Sequence, residues 1–242
     1  MNASRNSYLS QPYVMTPDEL TKLCQGIADF APEIEFDVKC KDSVKRSFSL
    51  LTELLEFENP TKKDINVLSI QARSKNSDTK VWLKFDKDSS SNILISIDGN
   101  EEATSAISDL VEDRLSAMKP WYSFVAKTDF TLILLVSLLA LILGMSLAIV
   151  LGMVGGADRP PSPITIRESI TGQMFAVASI IAPFIFGYFL NRGRAAVFPM
   201  GVIALGQGAK RHSDKELVRT LVVVGFFVSL ASSIVAALIL ML

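Results

Sequence analysis

The sequence predicts an α+β protein: an N-terminal four-stranded antiparallel sheet with helices on one face, followed by an α-helical membrane domain of three spans. Three observations carry that expectation. Charge is segregated, with 16 Lys+Arg against 21 Asp+Glu in residues 1–129 and 8 against 4 in residues 130–242. Residues 33–98 hold runs in which apolar and polar side chains alternate, the period of a strand with one buried face. Residues 130–157 contain no charged residue in 28 positions, and at ~1.5 Å per residue a helix of that length exceeds a hydrocarbon core of ~30 Å.

The opening MNASRNSYLSQPYV has no apolar run of the kind a secretory signal needs, so residues 1–15 read as a disordered N-terminus and the domain after them as cytosolic. Order is expected from Thr16, a cap followed by Pro17 at the first helical position and Glu19 placed to reach back. Leu20, Leu23, Cys24 and Ile27 then form one helical stripe. Ile34, Phe36, Val38 and Cys40 alternate with charged residues as a strand. Leu50, Leu51, Leu54 and Leu55 suggest a short helix stopped at Asn59-Pro60. Strands follow at about 65–73, 79–86 and 92–98, close enough for an antiparallel meander. Asn100 opens a last helix with Ile107, Leu110, Val111, Leu115 and Met118 on one face, ended by Lys119-Pro120. The domain thus covers 16–119, with a linker at 120–129 in which Trp121 and Tyr122 suit either a headgroup zone or a core.

The expected spans are 130–154, 170–190 and 218–241. Basic residues cluster between the second and third, which by the positive-inside rule gives an inner-membrane protein with a cytoplasmic N-terminus and a periplasmic C-terminus. Residues 195–206 are apolar but short and broken by Pro199, so they are expected to lie in the interface or re-enter. Ala140, Gly144, Ala148, Gly152 and Gly156 recur every four residues, and Gly225, Ser229, Ser233 and Ala237 repeat the device. Such ribbons let helices approach closely, within one chain or between subunits. Pro183 predicts a kink in the second span.

Several chemistries are excluded or disfavoured. Gly26 and Gly99 are the only glycines before residue 130, so no phosphate-binding or dinucleotide loop is available there. A single histidine, His212, and two widely spaced cysteines argue against a structural zinc site or a Ser-His-Asp triad. His212 is expected on a surface loop, and Cys24 and Cys40 in the core as free thiols. The acidic domain does not suit phosphate neutralisation, so no nucleic acid is expected as a partner. No Asp, Glu, Lys, Arg or His lies in residues 130–157, 170–190 or 220–242, against a proton relay. No catalytic, cofactor or metal residues are assigned.

The segments SFSLLTELLEFENP, SIDGNEEATSAISDLVEDRLSAMKPWYS and VFPMGVIALGQGAKR, in that order around the apolar runs, resemble the layout of small bacterial membrane effectors of anti-phage systems, including the two-transmembrane effectors that accompany retrons. This chain has three apolar runs where that name has two. The resemblance implies a non-enzymatic protein whose cytosolic domain binds or senses a cytoplasmic partner and whose helices oligomerise to perturb the membrane. The alternative is a membrane-anchored scaffold or accessory subunit. The partners implied are a lipid bilayer, further copies of the chain and an unidentified protein.

Overall fold

The computed structural model describes residues 2–75, 79–89, 91–155 and 166–241. They divide into two compact units, Met1–Lys127 with Val197–Leu242, and Thr128–Ala196.

In the first unit the expected elements form close to where the pattern puts them. Helix α1 (Pro17–Ala28) begins where Thr16 Oγ1 accepts from the Glu19 amide at 3.2 Å, and it buries Leu20, Leu23, Cys24 and Ile27. Strand β3 (Glu33–Cys40) buries Phe36, Val38 and Cys40. Helix α2 (Leu51–Glu56), β5 (Ile65–Arg73), β6 (Lys80–Asp86) and β7 (Ile93–Asn100) follow. Asn100 caps helix α3 (Glu101–Ala117) by accepting from the Ala103 amide at 2.7 Å. Cys24 and Cys40 are buried free thiols.

The sheet is larger than the four strands expected. Its order is β1-β7-β6-β5-β3-β4, antiparallel throughout, because β1 (Asn2–Leu9) and β4 (Lys45–Phe48) are added at its two edges. Residues 2–9 are therefore a strand, not part of a disordered tail. Their polar sequence hides them: backbone pairing with the Ile-rich β7 and the contacts of Arg5 with Ser108 and Glu112 fix them in place. The strand β4 is equally polar and short, and its pairing with β3 runs only from Phe36 to Lys39.

A second correction concerns residues 195–206. They do not lie apart from the α/β domain. Gly201–Ile203 form strand β8, parallel to β2 (Tyr13–Met15), and Ile203, Ala204 and Leu205 are buried in the same core as Met15, Leu54 and Ile65. The short apolar run is a missing piece of that core, brought back by nearly 190 residues of chain. No local period reveals such a pairing.

The remaining helices are α4 (Ser123–Lys127), α5 (Phe130–Gly155), α6 (Ile166–Val197) and α7 (Gln207–Met241). Among the described residues no helix is long and apolar enough to cross a membrane. The three-span membrane domain, the multi-pass inner-membrane placement and its periplasmic C-terminus are corrected on that ground. Charge patterning contributes to the difference: α6 and α7 carry Arg192, Arg194, Lys210, Arg211, Asp214, Lys215, Glu216 and Arg219 inside the helices rather than in loops, so their polar ends continue the same helical rods.

Candidate functional site

The best-defined polar constellation joins α7 to the sheet domain. Asn59 sits at φ 49° between α2 and β5 and is fully buried. Its side-chain oxygen accepts from the Ile65 amide at 3.0 Å, and its amide nitrogen donates to the Leu205 carbonyl at 3.0 Å. Both halves of a buried amide are thereby satisfied, as burial demands. Arg211 on α7 donates to the Asn59 carbonyl at 2.8 Å and to Asp64 at 2.6 Å, while Lys87 reaches the other Asp64 oxygen at 3.0 Å. Burial lowers the Lys87 pKa against the pull of Asp64. Gly206, at φ 51°, lets the chain turn into α7 directly beneath the Phe57 and Glu58 carbonyls, where a Cβ would stand 2.5 Å from each oxygen.

About two turns farther along α7, a second cluster forms around Arg219, whose side chain is 1% exposed. The guanidinium donates to the Val197 carbonyl, bonds Glu216 at 2.7 Å and lies over the Tyr122 ring. Trp121 donates to the same Glu216, and Phe198 packs against both aromatic rings. Burial pushes the Tyr122 phenol up to about 12. Burial pulls Glu216 upward, but the hydrogen bonds from Trp121 and Arg219 outweigh it and hold its pKa low. Tyr122 therefore belongs to the core, while Trp121 stays 55% exposed. His212 is in α7, half-buried, and not on a loop. Burial, with Arg219 adding to it, lowers the pKa of this imidazole, and its Nδ1 has no hydrogen-bond partner among the described residues.

In the second unit Asn191 plays a comparable part. It accepts from the Phe130 amide at 3.0 Å and donates to Asp129 at 2.8 Å and Thr131 at 3.0 Å, binding the start of α5 to the end of α6. The hydrogen bond from Asn191 is the main reason the Asp129 pKa is lowered. Gly187 is the close-approach point, since a Cβ there would meet the Thr131 backbone at 2.8 Å.

The small-residue ribbons fall differently. Ala140, Ser229 and Ser233 are exposed, and a side chain added at Gly144 or Gly225 would meet no atom within 4 Å among the described residues. Ser233 Oγ donates to the Ser229 carbonyl at 2.9 Å, a bond within its own helix. The side chains of Ala148, Gly152 and Ala237, and all of Gly156, lie outside the described residues. Pro183 is half-buried inside α6, which continues through it to Val197. Sequence reasoning missed Asn59, Asp64, Arg211, Arg219 and Asn191. The available signal was a set of polar side chains at the ends of apolar runs, which has no spacing of its own. Among the described residues no group of His, Cys, Asp and Glu could hold a metal ion.

No protein-family model, curated protein or solved structure matches the chain. The likeness in layout to retron-associated effectors is neither supported nor opposed by these comparisons.

Proposed function

We propose that the chain is a non-enzymatic effector with two working parts. The α/β domain binds a protein partner, and the apolar helices associate with one another and with lipid so as to perturb a bilayer. The observation that supports this reading is the density of large apolar side chains left open on α5, α6 and α7. Leu139, Leu141 and Leu143 on α5, Phe184, Phe186 and Phe189 on α6, and Leu221, Val224 and Phe226 on α7 are each at least half exposed. Large apolar side chains left open in such number are uncommon on a protein that works alone in water and mark a site of association. The contact invoked is burial of these side chains in acyl chains, driven by removal of apolar surface from water, rather than passage of a single helix across the bilayer.

A second reading, a scaffold or accessory subunit, draws on the junction itself. Asn59, Asp64 and Arg211 join α7 to the sheet domain through satisfied, part-buried bonds, which suits a stiff connector. Flotation of the full chain with phosphatidylethanolamine/phosphatidylglycerol vesicles, combined with cross-linking, separates the two readings. The effector reading expects co-flotation and oligomers that disappear in Gly144→Leu/Gly225→Leu. A chain that neither floats nor cross-links to itself contradicts it and favours the scaffold.

A further inference from the structure

The sheet has an incomplete edge. Strand β3 pairs with β5 from Glu33 onward, but β4 covers its other side only from Phe36 to Lys39. Glu33, Ile34 and Glu35 thus have no strand beside them on that side among the described residues. A groove of about 640 Å³ opens there, bounded by α1, the β3 edge and the chain entering α2. Its floor is apolar, formed by Cys24, Ala28, Ile34 and Leu51, while Glu33 and Glu35 stand on its rim. Leu50, 58% exposed, forms the opposite lip. The Ser49 and Leu50 amides already donate to Glu53, at 3.2 and 3.4 Å, so that lip is held in shape and its donors are occupied.

We propose that this groove takes an extended segment of a protein partner, which adds as a short strand beside Glu33–Glu35. An open edge supplies backbone donors and acceptors, and alternation along a strand sends successive side chains to opposite faces. The incoming segment places apolar side chains toward Cys24, Ala28 and Leu51, and Lys or Arg between them toward Glu33 and Glu35. Lys75 lies 3.4 Å from Glu33 but is itself largely exposed, so it leaves Glu35 as the main acidic determinant. The occupant is therefore a polypeptide with alternating apolar and basic residues. This inference rests on the partner-binding role proposed for the α/β domain, and its test reads neither lipid binding nor self-association.

Fluorescein-labelled heptapeptides of alternating Val and Lys, with alternating Val and Glu as the control, are titrated by anisotropy into the full chain in non-ionic detergent. The Val/Lys peptide is expected to bind saturably, and Glu35→Lys to weaken it about tenfold while strengthening the Val/Glu peptide, the size of effect expected from a cross-strand charge reversal. N-methylation of alternate Val/Lys backbone amides is expected to abolish binding to the unaltered chain, a readout independent of any variant's folding. Absence of saturable binding, equal binding of the two peptides, or indifference to N-methylation overturns the proposal. None of those outcomes bears on flotation or cross-linking.

Discussion

The guanidinium carbon of Arg219 lies 4.7 Å from the centre of the Tyr122 ring, joining α7 to the segment that follows α3. A cation over an aromatic face is worth most where water is excluded, and here both side chains are almost fully buried. Arg219→Ala would leave Glu216 without its ion-pair partner and open a void over the Tyr122 ring. The expected loss is about 3 kcal/mol of unfolding free energy, as for other broken part-buried pairs. Urea unfolding followed by Trp121 emission in a Trp82→Phe background measures it.

Gly206 is held in left-handed backbone with two carbonyl oxygens against its missing Cβ. Gly206→Ala therefore combines conformational strain with a clash against main chain, which cannot move aside as a flexible side chain would. A destabilisation of about 2–3 kcal/mol is expected. Gly225→Ala, inside α7 with no atom within 4 Å of the added Cβ among the described residues, serves as the control and is expected to unfold with the unaltered chain in a thermal melt.

His212 should impart a pH dependence of definite sign. The groups acting on it are Arg219, Glu216 and Lys215, and burial is the main cause of its lowered pKa. The unfolded chain therefore takes up a proton near the ordinary value of 6.5 before the folded chain does. Stability contributed by neutral His212 is complete above that value and declines as pH falls through it, levelling once the folded imidazole is also protonated. Melting temperatures from pH 8 to 5 should show the slope, and His212→Gln should remove it.

Burial pushes the Cys24 thiol up to about 12 and raises Cys40 as well. Since the thiolate is the reactive form, the folded chain is expected to react slowly with a thiol reagent at pH 8 and rapidly in denaturant. Fast labelling of Cys24 under native conditions would show that its core opens readily.

The sheet domain was largely legible because its elements are local. Periodicity placed α1, β3, β5, β6, β7 and α3, and Thr16 and Asn100 act as the caps their positions suggest. What escaped were elements whose stability comes from distant partners. Polar Asn2–Leu9 is a strand only because β7 offers it an edge, and Gly201–Ile203 only because Tyr13–Met15 does. The membrane spans were inferred from apolar length, and among the described residues no helix is long and apolar enough to cross a membrane. Arg211, Arg219 and Asn191 stand near the ends of the apolar runs with no spacing that marks them, and only the length of the helices brings them against Asp64, Tyr122 and Asp129.

The central claim is that the open apolar faces of α5, α6 and α7 act on lipid through self-association. Its most direct test is release of carboxyfluorescein from phosphatidylethanolamine/phosphatidylglycerol vesicles by the full chain, beside Gly144→Leu/Gly225→Leu at the same bound amount. The account predicts release that rises more steeply than in proportion to bound protein and falls sharply in the double variant, with its melting temperature unchanged. Intact vesicles carrying abundant bound protein, or equal release by both chains, would contradict it.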